Sequence, residues 1–106
     1  MKELNQQELI IELSNTESPI AVFFYTPLCG TCKVARRMLE VIEHLLPPDI
    51  ITSADVNMMP QLVQQYQITS VPALLVAEAS KVNPPIIRYR MGSVEELLNE
   101  IRSVVE

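Results

Sequence analysis

The sequence predicts an α/β fold, and three observations carry that reading. Helical and strand-like patterns alternate along the chain. The segment Ile20–Tyr25 is apolar at every position, as strands covered on both faces of a parallel sheet are. A long amphipathic helical pattern follows it closely, and the pair Cys29 and Cys32 sits where the two meet.

The elements follow in order. Leu4–Ser14 reads as a helix, with Asn5 as N-cap and Glu8 three residues on, as a capping box requires. Leu4 and Leu9 take the staple positions around that cap, and Leu9, Ile10 and Leu13 form its apolar face. Asn15–Pro19 is a turn before the strand Ile20–Tyr25. Thr26-Pro27-Leu28 ends that strand. A helix from about Gly30 to Leu46 is expected next, with Val34, Ala35, Met38, Val41, Ile42 and Leu45 facing inward and Pro47-Pro48 stopping it. Ile50–Val56 reads as a strand. Pro60–Tyr66 reads as a short helix with proline in its first turn, where a missing N–H costs nothing. Ala73–Ala77 and Ile86–Met91 are the remaining strands, separated by a turn at Ser80–Pro85. Gly92 precedes a last helix, with Ser93 and Glu96 as a second capping box. Its buried stripe is Leu97, Leu98, Ile101, Val104 and Val105.

Composition narrows the function. The 106 residues fit one domain spanning 1–106, and a hydrophobic fraction of 48% supports a core without disulfide staples. The longest apolar runs, Ile20–Tyr25 and Val71–Ala77, fall far short of the ~20 residues a membrane span needs. The N-terminus turns polar at once, with no apolar signal core, so a cytoplasmic location is expected. A net charge of −5 disfavours nucleic-acid binding. Lys33, Arg36 and Arg37 form a basic cluster after the second cysteine. The ordinary reading of such a cluster is a solvated helix face; the second is positive charge near the first cysteine that favours its thiolate, with Lys33 adjacent to the pair and Arg36 and Arg37 open to either direction. His44 reads as a surface or helix-end histidine. Met58 and Met59 read either as groove lining or as turn packing.

The two cysteines favour redox chemistry over structure. A bridge closing so short a loop removes little chain entropy. A structural zinc site wants four ligands, and His44 is the one other candidate. A helix N-terminus, by contrast, presents unpaired N–H groups and the positive end of the dipole. A thiolate there is stabilised below the free value of about 8.5. Cys29 is therefore the candidate nucleophile and Cys32, a helical neighbour three residues on, the candidate resolving thiol, with Gly30 and Thr31 between them.

The chain resembles the thioredoxin family along nearly its whole length. The residues that carry the resemblance are Ala21–Tyr25, Cys29-Gly30-Thr31-Cys32-Lys33, Asp55-Val56-Asn57 with Pro60, Tyr66–Leu75, and Gly92 ahead of the last helix. The resemblance implies a thioredoxin fold, with a central mixed sheet of about four strands flanked by helices. It implies a protein-disulfide oxidoreductase acting on protein disulfides or dithiols, with thioredoxin reductase as a possible partner, no bound cofactor or metal, and a monomer. It further implies a cis Val71–Pro72 bond facing the cysteines. Leu28, Val71, Pro72 and Gly92 would then bind substrate.

Several family positions differ. Leu28 stands where the family has Trp, and Thr31 where it has the Pro between the cysteines. Phe23 replaces a buried Asp and Ser53 a buried Lys. Arg37 replaces a helix-kinking Pro, and the N-terminal strand reads as missing or very short. Loss of the Asp with its Lys is coherent, since a lone buried charge is costly. It leaves Cys32 needing water or substrate as base and implies slow exchange. Thr31 restores a backbone N–H in the first helical turn, which favours the Cys29 thiolate. A Cys29 pKa below about 7 and a potential tens of millivolts above about −270 mV are expected. Two other functions compete with this one. A glutaredoxin-like, glutathione-dependent enzyme would carry a Gly-Gly pair beyond the proline strand, and this chain has none. A redox-inert module binding through the groove at Pro72 is disfavoured by the intact cysteines.

Overall fold

The computed structural model describes residues 1–106. Its elements are β1 (Lys2–Glu3), α1 (Gln6–Ser14), β2 (Ile20–Tyr25), α2 (Gly30–Glu43), β3 (Ile51–Asp55), α3 (Pro60–Tyr66), β4 (Ala73–Ala77), β5 (Ile86–Arg88) and α4 (Val94–Val105). A single 3-10 turn, Val56–Met58, joins β3 to α3. The sheet has five strands in the order β1-β3-β2-β4-β5. The first three are parallel, and β4 and β5 run antiparallel to their neighbours. This is the thioredoxin fold, with one more strand than the roughly four expected. The additional strand is β1, whose two polar residues carry no strand pattern but pair with Thr52 and Ser53.

The period-two alternation of β2 divides the interior. Ile20, Val22 and Phe24 face a layer closed by Leu9 of α1 and Leu62 of α3. Ala21 and Phe23 face the other layer, with Cys32, Ala35, Leu39 and Ile42 of α2 and Leu97 and Ile101 of α4. Phe23 and Phe24 are fully buried on opposite sides. Each contributes about 1.5–3 kcal/mol from removal of its ring from water.

The helix ends show why the chain turns where it does. Asn5 Oδ1 accepts from the Glu8 N–H at 2.9 Å, and Glu8 Oε1 accepts from the Asn5 N–H at 3.0 Å, so the capping box is complete. Leu4 and Leu9 are both buried in the same layer. At α4 the Ser93 hydroxyl accepts from the Glu96 N–H. Helix α2 stops at Glu43, short of Leu46. His44, Leu45 and Leu46 donate to carbonyls three residues back, the tightening expected before Pro47-Pro48. His44 is the exposed C-cap of α2. β3 ends at Asp55, whose side chain accepts from the Asn57 N–H and caps the 3-10 turn.

The inward face of α2 differs from expectation. Val34, Val41 and Leu45 are exposed, whereas Leu39, absent from the expected set, is fully buried. In α4, Leu97 and Ile101 are buried, while Leu98, Val104 and Val105 pack half-covered at the layer's edge. β5 closes at Arg88, shorter than the span to Met91. No helix is long and apolar enough to cross a membrane.

Candidate active site at the start of α2

Cys29 is the N-cap of α2, and its extended backbone aims the side chain back over the first turn. Cys29 Sγ accepts from the Cys32 N–H at 3.1 Å and lies 3.3 Å from the Thr31 hydroxyl oxygen. The backbone donor at the sulfur is thus Cys32's, and Thr31 contributes its hydroxyl rather than its N–H. Cys29 and Cys32 form a disulfide with their Cα atoms 5.2 Å apart. Cys29 is half-buried and Cys32 is 3% exposed. The two sulfurs therefore differ in access, the one nearer the helix end being the reachable one. Gly30 has open space where a side chain would stand. Leu28 is 98% exposed, a large apolar side chain held in water directly before the pair.

Two depressions flank the disulfide. One, of about 400 Å³, is lined by Thr31, Val34, Ala35, Met38, Pro72, Tyr89, Met91 and Gly92. Its walls are mainly apolar, and the Val71–Pro72 peptide bond at its edge is cis. Gly92 lies at φ +67°, where a Cβ would stand 2.5 Å from Glu96 Oε2, so a side chain is strained there. Val71 itself lines a separate depression with Val56, Asn57, Ile68 and Thr69. The Tyr89 hydroxyl bridges Gln67 and Thr69, accepting from the Thr69 N–H at 3.3 Å and donating to the Gln67 carbonyl at 3.2 Å. Met58 is exposed and Met59 is buried, so the two methionines divide between surface and core.

The second depression, about 170 Å³, is lined by Tyr25, Thr26, Pro27, Cys29, Cys32, Lys33 and Arg36. Of the two arginines whose direction the sequence leaves open, Arg36 thus faces the cysteines and Arg37 is exposed. The reason is aromatic. The guanidinium carbon of Arg36 lies 4.8 Å from the Tyr25 ring centroid and 5.3 Å from that of Phe23. Those two rings stack, with centroids 5.7 Å apart. A guanidinium over aromatic faces is attracted by the ring quadrupole. Arg36 is also four residues beyond Cys32, hence on the same helix face.

Behind the rings lies a polar group that the sequence reading did not find. Glu3 accepts from the Tyr25 hydroxyl at 2.7 Å through Oε2 and from the Ser53 hydroxyl at 2.7 Å through Oε1. Burial, and then the hydrogen bond and charge of Glu3, push the Tyr25 phenol up to about 12. Glu3 evaded the sequence reading because β1 has no apolar pattern. The signal available was Ser53, a small hydroxyl within an otherwise apolar strand and in need of a partner.

Comparison with known proteins agrees with this architecture. The thioredoxin family model matches residues 1–103. The chain is 37% identical to the thioredoxin-like protein YusE of Bacillus subtilis over 83 residues, covering 77% of this chain and 74% of that protein. It is 27% identical to a thioredoxin of Mycobacterium tuberculosis over 95 residues, covering 89% and 80%. Among solved structures, a mutant thioredoxin from Halobacterium salinarum superposes with a TM-score of 0.82 at 19% identity, covering 99% of this chain and 90% of that one. The family and the bonded Cys29–Cys32 pair support thiol–disulfide oxidoreductase chemistry in general terms, and the chain belongs to the thioredoxin family.

Proposed function

We propose that the protein is a protein-disulfide oxidoreductase in which Cys29 is the nucleophile and Cys32 the resolving thiol. The observation that carries this is the position of Cys29 as the half-buried N-cap of α2, accepting the Cys32 N–H, with Cys32 bonded to it from beneath. In the reduced protein the Cys29 thiolate attacks one sulfur of a substrate disulfide. A mixed disulfide forms, and the departing substrate sulfur takes up a proton from water. The Cys32 thiolate then attacks Cys29 Sγ and expels the second substrate sulfur, which is protonated in turn. Two electrons have passed to the substrate, and the Cys29–Cys32 disulfide remains. An external dithiol restores it, and a thioredoxin reductase is the donor class that fits. The exposed Leu28 and the groove at Pro72 and Gly92 receive the substrate backbone and side chains on the apolar side. The backbone at Val71, just before Pro72, is the edge against which substrate pairs. A reducing compartment such as the cytoplasm suits a pair that must be returned to the dithiol.

The test is reduction of insulin by dithiothreitol with catalytic amounts of the protein, then the same assay driven by thioredoxin reductase and NADPH. Acceleration of both supports the proposal. Acceleration of neither rejects it.

A further inference from the structure

We propose that the cavity beside the disulfide binds a carboxylate carried by the partner protein within two residues of its reactive cysteine. This rests on the oxidoreductase reading and specifies its substrate. The cavity has two cations, Lys33 and Arg36, and no acidic side chain among its lining residues. The ion pairs of the chain are Met1–Glu43, Arg88–Glu96 and Arg102–Glu106, so neither cation has an internal partner. Two carboxylates lie behind Tyr25: Glu3 is occupied by the Tyr25 and Ser53 hydroxyls, and Asp55 accepts from the Asn57 N–H. Two unpaired cations in a chain of net charge −5 form a local basic site against an acidic background.

Geometry ties this site to the reaction. Both cysteines stand in the wall of the same cavity as Arg36. An extended peptide advances ~3.3 Å per residue, so a residue one or two positions from the attacked sulfur reaches the cavity. Arg36 is fixed by two aromatic rings, which lowers the cost of ordering it when an anion arrives. A guanidinium also offers a planar fork that matches a carboxylate. The depression on the other side of the disulfide is mainly apolar. A partner segment is therefore read by polarity on its two sides, acid toward Arg36 and apolar toward Pro72.

The experiment compares two disulfide-linked peptides that differ only in carrying Glu or Gln at the positions one and two residues to either side of the cysteine. Steady-state kcat/KM is measured with the wild-type protein, Arg36→Gln, Arg36→Lys and Lys33→Gln. The wild type is expected to favour the Glu peptide by about three- to tenfold at low ionic strength, and the preference to shrink with added salt. Arg36→Gln is expected to bring the ratio close to one, Arg36→Lys to retain part of it, and Lys33→Gln to lower it. Because the Gln peptide reports any change in cysteine reactivity, the ratio isolates recognition. Equal rates for the two peptides, or a Glu preference undiminished in Arg36→Gln, overturn the inference. If neither peptide is reduced, the oxidoreductase reading itself fails. Carboxylate recognition is then read by NMR titration of the same peptides with serine in place of cysteine. Tighter binding of the Glu form supports it and equal binding overturns it.

Discussion

The Thr31 hydroxyl lies 3.3 Å from Cys29 Sγ, and Thr31→Val removes it while keeping the side chain's size. A thiolate only accepts hydrogen bonds, so in the reduced protein the hydroxyl donates to it. A hydrogen bond to a charged group is worth about 1.5–3 kcal/mol. Thr31 is exposed and Cys29 only half-buried, so water replaces part of the lost donor and about 1 kcal/mol remains. Loss of the donor therefore raises the Cys29 pKa in the variant. The thiolate exists only in the dithiol form, so losing the donor destabilises that form and makes the disulfide harder to reduce. With ~30 mV equivalent to ~1.4 kcal/mol, the potential falls by about 20 mV. The full difference is present above the Cys29 pKa of both proteins. It vanishes below both, where the thiol is protonated in each. The assays are thiolate absorbance against pH and glutathione redox titration at one acidic and one alkaline pH. Superimposable titration curves with equal alkaline potentials would refute the reasoning.

Three further outcomes are expected. Phe23→Asp places a carboxylate where a fully buried ring stood and is expected to cost about 3 kcal/mol or more in denaturant unfolding. It also returns a candidate base beside Cys32, so the rate of mixed-disulfide resolution at neutral pH is expected to change. An unchanged rate in the folded variant would show that Cys32 is not limited by a missing base. Tyr25 has a folded-state pKa raised to about 12, so its contribution to stability is fully present below about pH 10 and is lost as pH rises toward 12. Unfolding midpoints across that range should fall more steeply in the wild type than in Tyr25→Phe, and parallel curves would contradict a phenol raised by burial and by Glu3. Gly92→Ala forces a side chain onto left-handed backbone. It is expected to cost about 1–2 kcal/mol in chemical denaturation, and a neutral result would contradict the need for glycine there.

Much of this molecule was legible in the sequence where local chemistry decides structure. The Asn5–Glu8 and Ser93–Glu96 spacings name their own partners three residues away; the first box closes in both directions, whereas at the second only the Ser93 hydroxyl caps, because the Glu96 carboxylate turns to Arg88 instead of the Ser93 N–H. β2 and β4 are apolar throughout because both faces are covered. The phase of α2 was legible only in part, since Ala35 and Ile42 of the expected face are buried and Val34, Val41 and Leu45 are exposed. Val34, Met38, Val41 and Leu45 recur at helical spacing, and so do Cys32, Ala35, Leu39 and Ile42, one stripe over. Only the sheet beneath decides that the second stripe is buried. The same holds for Arg36. Its place in the sequence is a basic cluster, and its inward direction depends on Phe23 and Tyr25, which another element supplies. Glu3 acts through Tyr25 and Ser53, contacts spanning 22 and 50 residues, beyond the reach of any local pattern. The cysteines were legible because a strand-to-helix junction and a three-residue spacing are local features.

Thiol–disulfide exchange through Cys29 is tested most directly by trapping its intermediate. The Cys32→Ser protein is incubated with a disulfide-containing protein, separated without reductant, digested and mapped. With the resolving sulfur gone, the expected product is a covalent complex joined through Cys29 that dithiothreitol releases and that Cys29→Ser does not form. Absence of any such complex, or an equal yield of it from Cys29→Ser, would contradict the assignment of Cys29 as the nucleophile.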